Sequence, residues 1–165
     1  MQLDTLRIVG NGPGREVEPV DNQLTITFNP SIGHQSMGGD IQISNWKHAG
    51  FQTDCQPFIV YAARLGPAWC REFEDLLRNS AMALEQLLGC FPSSGLVGIH
   101  AALQIAERVS IYNMPLMPSF VRAAYMPPRK PLPCAFHNWL GERRVGLFLL
   151  QEYGPERLSW KSLSL

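Results

Sequence analysis

Four short runs carry residue types suited to chemistry on a charged nucleotide or sugar. In HNWLGE (His137–Glu142) the histidine is the natural proton acceptor, because its imidazole titrates near neutral pH. It follows a proline-rich stretch and opens an apolar-periodic run. A helix N-terminus there would disfavour the imidazolium and leave a neutral base. On one continuous helix, residues five apart lie about 140° from each other, so His137 and Glu142 need not form an ion pair. A surface or capping histidine looks the same in sequence. In PSSG (Pro92–Gly95) two hydroxyls meet free backbone N–H groups at a helix start, which suits an anion. An ordinary serine cap has the same pattern.

The other two runs lie nearer the N-terminus. VGNGPG (Val9–Gly14) is a strand followed by a glycine-rich turn that lets backbone approach a phosphate or ribose. Its spacing is not that of the dinucleotide fingerprint, and Pro13 lacks an N–H. A tight strand-to-helix turn fits equally. TFNPS (Thr27–Ser31) ends a strand on Asn29, which offers a donor and an acceptor to a ribose or base edge, or closes an Asx turn.

The elements that must hold these runs alternate. Strands are expected at Leu6–Gly10, Gln23–Phe28, Asp40–Asn45, Pro57–Ala63 and Arg108–Met114, from apolar and β-branched content. Ala68–Leu88 has an amphipathic pattern, with Trp69, Phe73, Leu76, Leu77, Met82, Leu84, Leu87 and Leu88 at helical spacing. A second helix follows Ser93, and a third is expected over His137–Tyr153. Prolines from Pro115 to Pro133 make that stretch a loop. The tail LSWKSLSL gives no clear pattern. Strands alternating with helices imply a mostly parallel sheet covered on both faces, with ligands beyond the strands' carboxyl ends.

Size and charge limit the rest. The 165 residues suit one domain, 1–165. Lys+Arg and Asp+Glu are 14 each, a balance that argues against a nucleic-acid platform. No secretory signal and no run of about 18 apolar residues is visible, so the expectation is a cytoplasmic chain with no integral membrane segment. Cys55, Cys70, Cys90 and Cys134 form no CxxC pair, so no metal site is expected and reduced thiols are. His34 and His48 read as loop or surface residues, His100 as packed in a helix, and Asp40 as a structural hydrogen-bonding group.

The order of the four runs resembles that of the eukaryotic-type sialyltransferases. Their motif L is similar to Val9–Ser44, their motif S to Pro92–Met114, and their H-x4-E motif VS to His137–Glu142. About half of the chain is covered. The resemblance implies a Rossmann-like three-layer α/β/α domain of the glycosyltransferase-A-variant type. It also implies an inverting, metal-independent transfer of sialic acid or Kdo from its CMP ester to a saccharide hydroxyl, with no cofactor. By position, His137 matches the family's general base, and Asn11, Gly12, Asn29, Ser93, Ser94 and Gly95 match its donor-binding segments. Leu6 and Ala106 stand where the family has the two cysteines of a disulfide, as a reducing compartment would require. Asn113 and Pro115 stand where it has glycines. No histidine between Tyr112 and His137 matches motif III; Arg122, Tyr125, Arg129 and Lys130 are the replacements at hand. Two other readings remain: a nucleotide- or sugar-binding protein without catalysis on the same fold, and a methyltransferase using the VGNGPG loop. The methyltransferase predicts an acidic residue where Asn29 stands.

Overall fold

The computed structural model describes residues 2–10, 17, 20, 23–28, 40–45, 58–62, 64–114 and 137–161. Six strands form one sheet: β1 (Leu3–Val9), β2 (Leu24–Phe28), β3 (Ile41–Asn45), β4 (Phe58–Ala62), β5 (Ala106–Tyr112) and β6 (Leu158–Lys161). The spatial order is β4-β3-β2-β1-β5-β6. All neighbours are parallel except β3 and β4. Three helices follow: α1 (Pro67–Leu88), α2 (Ser94–Ile105) and α3 (Trp139–Arg157).

Register shows how the strand sequences make a core. Leu6 pairs with Leu24 and Val109, and Ile8 with Ile26 and Ile111. Phe28 pairs with Ile43, and Val109 with Leu158. In-register residues of parallel strands share a face, so these side chains make one apolar surface. Phe73, Leu77 and Leu84 of α1, with Leu96, Val97, Ile99 and Leu103 of α2, complete the core on that side. Gly98 lets α2 sit close to the sheet: a Cβ there would lie 2.6 Å from the Phe28 ring. α3 joins the same side, because Arg157 donates to the Leu103 carbonyl at 2.7 Å and Leu149 enters the shared core.

The other sheet face differs in character. Arg7, Thr27 and Ser44 are buried there beside Val9, and the Arg7 guanidinium lies 5.2 Å from the Tyr112 ring centre. The three described helices thus form one layer against one face. A helix on the opposite face, which the three-layer expectation requires, is not among the described residues.

Most expected elements are present, with differences at their ends. α2 stops at Ile105 and β5 begins at once at Ala106, two residues before the expected Arg108. The tail expected to carry no pattern contributes β6, whose Leu158 pairs with Val109 and Trp160 with Ile111. The third helix runs past Tyr153, but Gly154 has φ 67° and Pro155 follows, so its last turn is broken. Asp40 has the expected structural role: it accepts from the Thr25 N–H at 3.0 Å and lies 3.4 Å from Arg64. His34, His48 and the 115–133 loop lie outside the described residues.

Candidate functional site

The site grows from the way α1 ends. Gly89 takes φ 70°, a left-handed conformation that glycine adopts without a Cβ penalty, and its N–H donates to the Glu85 carbonyl. The chain then passes Phe91 and Pro92 to Ser93, the N-cap of α2, whose hydroxyl accepts from the Leu96 N–H at 3.3 Å. α3 begins beside this turn. Asn138 is its N-cap, and its side-chain oxygen accepts from Gly141 N–H at 2.9 Å. The amide nitrogen of the same side chain donates to the Leu88 carbonyl at 3.1 Å. One asparagine thus satisfies the start of α3 and the end of α1. Gly141 permits the approach, since a Cβ there would stand 2.8 Å from Leu88 Cδ2.

This junction brings His137 and Glu142 together. His137 precedes the cap and is not on the helix, so the wheel argument that separates residues five apart does not govern it. Its Nδ1 lies 3.9 Å from Glu142 Oε1 and 3.2 Å from the Phe91 carbonyl oxygen. A carbonyl only accepts, so Nδ1 carries the proton of that bond. In the neutral ring the lone pair is then on Nε2. Trp139 holds the imidazole edge-on at 5.2 Å between ring centres.

Glu142 is buried at 8% exposure, and both of its oxygens are occupied. Oε1 accepts from the Ser93 N–H at 2.8 Å, and Oε2 from the Ser93 hydroxyl at 2.6 Å. The carboxylate lies in the first turn of α3 and against the first residues of α2. Two positive helix ends therefore face one resident anion, which stabilises it there. Ser93 thus spends both donors on Glu142, and the first-turn residues Ser94 and Gly95 stand next to it.

A second grouping lies at the carboxyl ends of β1 and β5. These strands flank the point where the chain's order across the sheet reverses, which is where open α/β sheets bind ligands. Gly10 N–H donates to the Tyr112 carbonyl at 2.9 Å. Asn113 has φ 52°, so the glycine-like backbone conformation exists here without a glycine. Met114 packs between the two segments. A Cβ on Gly10 would stand 2.0 Å from its Cγ, and one on Gly95 2.3 Å from its Cε. Trp160 of β6 fixes Met114 by donating to its carbonyl at 2.6 Å.

Of the expected site residues, the structure brings His137, Ser93, Ser94 and Gly95 to one junction. Asn11, Gly12 and Asn29 lie outside the described residues. The sequence reading sets Glu142 apart from His137, and passes over Asn138 and Met114. The signal for Asn138 is readable: an asparagine directly before an apolar run marks an N-cap and puts His137 outside the helix.

Cys70 and Cys90 are free thiols. Among the described residues no group of three His, Cys, Asp or Glu side chains gathers as a metal site, and no helix is long and apolar enough to cross a membrane. No protein-family model, curated protein or solved structure matches the chain.

Proposed function

We propose that this protein is a glycosyltransferase that moves a sialic acid or Kdo-type sugar acid from its CMP ester to a saccharide hydroxyl, with inversion and without a metal. The observation that carries the reading is the Ser93–Glu142–His137 junction. It joins the PSSG and H-x4-E runs, 42 residues apart at their nearest ends by number (Gly95 to His137), through one buried carboxylate. The Gly10–Gly95–Met114 grouping at the strand-order reversal supports a nucleotide site beside it.

In this reading Nε2 of His137 takes the acceptor hydroxyl proton as that oxygen attacks the anomeric carbon. The Glu142 carboxylate faces the imidazolium that forms. The CMP phosphate departs with growing negative charge, which the first-turn N–H groups of Ser94 and Gly95 would meet. Asn11, Gly12 and Asn29 would hold the nucleotide, as the resemblance implies. A reducing, cytoplasmic setting agrees with the free thiols of Cys70 and Cys90.

One observation favours a second reading, a nucleotide- or sugar-binding protein without catalysis: no histidine lies between Tyr112 and His137 to assist the departing phosphate. The test is CMP release from CMP-sialic acid and CMP-Kdo in the presence of saccharide acceptors. The expected result is turnover that falls about 100-fold or more in His137→Ala, the usual weight of a general base. Turnover untouched by the change refutes the base. CMP binding with no turnover supports the second reading.

A further inference from the structure

α3 turns an apolar stripe outward. Leu140 is 59% exposed, Leu147 47% and Phe148 60%. At 100° per residue these three fall within about 100° of arc, opposite Glu142, Gly146 and Leu149, which face the core. The other exposed large apolar side chains among the described residues are Val20, Tyr61, Met82, Leu87 and Phe91.

The charges on this face have a pattern of their own. Arg144 and Glu152 are exposed and stand four residues before and four after Phe148, both ahead of the break at Gly154. Their eight-residue separation, about 12 Å along the helix, is too long for them to pair with each other. The residues that share their helix face at i±4 are Leu140, Phe148 and Glu156, none of them a partner of opposite charge for Arg144 or Glu152. An arginine, an aromatic and a glutamate at equal spacing are complementary to the same triplet running the other way.

We infer that the outer face of α3 is an interface for a second copy of this chain, with two α3 helices packed antiparallel about a two-fold axis at Phe148. That operator sets Arg144 of each copy against Glu152 of the other, and brings Leu147 of both helices beside the two Phe148 rings. The interface is isologous, so every contact occurs twice. Its apolar area is on the order of a few hundred Å² per copy, near the low end for specific association, so the dimer is weak and its rim pairs are sensitive to salt. Glu142, which joins the junction to α3, lies on the core side of the same helix.

Sedimentation of the full chain from about 1 to 500 μM tests this. The expected result is a monomer–dimer equilibrium that weakens at high salt. Phe148→Glu, at an exposed position that leaves the fold intact by circular dichroism, weakens association about 100-fold or more, as loss of a central aromatic does. Arg144→Glu and Glu152→Arg each weaken it about tenfold by setting like charges together. The double variant Arg144→Glu with Glu152→Arg restores it. A wild type that stays monomeric at 500 μM overturns the proposal. So does a dimer indifferent to Phe148→Glu, or a double variant no better than either single one.

Discussion

Glu142 has a demanding position. It is buried, and its two oxygens hold the backbone and side-chain donors of Ser93. Glu142→Ala leaves both donors without their acceptor, a loss of about 1–3 kcal/mol. For a chain of this size that lowers the melting temperature by roughly 3–10 °C, which calorimetry would detect. Glu142→Gln keeps one acceptor and should lose less; equal losses would mean that packing, not the hydrogen bonds, sets the effect. His100 gives a pH prediction. Burial pushes its imidazole below the ordinary value of 6.5, and Gln104 Nε2 sits 3.2 Å from Nδ1, which accepts in the neutral ring. Between its folded value and about 6.5 the unfolded chain binds more protons than the folded one. Stability therefore falls as pH drops through that window and is fully kept above it. Thermal melts from pH 7.5 to 5 should fall more steeply for wild type than for His100→Gln, and parallel curves would contradict this.

At the scale of elements, glycines set how closely segments approach. Gly10→Ala would drive a Cβ into Met114 Cγ and within 2.6 Å of the Asn113 carbonyl oxygen, which is backbone and cannot yield easily. Gly95→Ala meets only the flexible end of Met114 at close range. Gly10→Ala should thus cost about 1–3 kcal/mol, the typical range for overpacking, and Gly95→Ala less. Met114→Ala should rescue Gly95→Ala and leave Gly10→Ala impaired in denaturant melts. Equal rescue of both would show that the Asn113 carbonyl plays no part. This scale also explains what the sequence made legible. β1, β2 and α1 carry apolar residues at the period of their own secondary structure, so each can be read alone. β6 is only four residues long, and its two inward residues, Leu158 and Trp160, have meaning only once Val109 and Ile111 are beside them. The antiparallel sense of β4 is set by its pairing with β3 and has no local signature. The His137–Glu142 approach escapes a reading that starts the helix at His137, two residues before its first residue, Trp139. Asn138 caps the start of the helix, and the side chain before the cap folds back towards Phe91.

For the whole molecule, order along the chain becomes convergence in space. The end of α1, the starts of α2 and α3, and the carboxyl ends of β1 and β5 meet through contacts that span tens of residues, such as Ser93 with Glu142 and Gly95 with Met114. That arrangement gives a base with its lone pair on Nε2, a resident carboxylate at two helix starts, and a Met114-packed grouping at the strand-order reversal. The proposed transfer uses all three, and the proposed binding role uses the last alone. The claim common to both is recognition of CMP. Calorimetric titration of the purified chain with CMP, beside S-adenosylmethionine under the same conditions, tests it most directly. The account predicts saturable binding of one CMP per chain and none of S-adenosylmethionine. Binding of S-adenosylmethionine alone, or no heat from CMP at millimolar concentration, would contradict it.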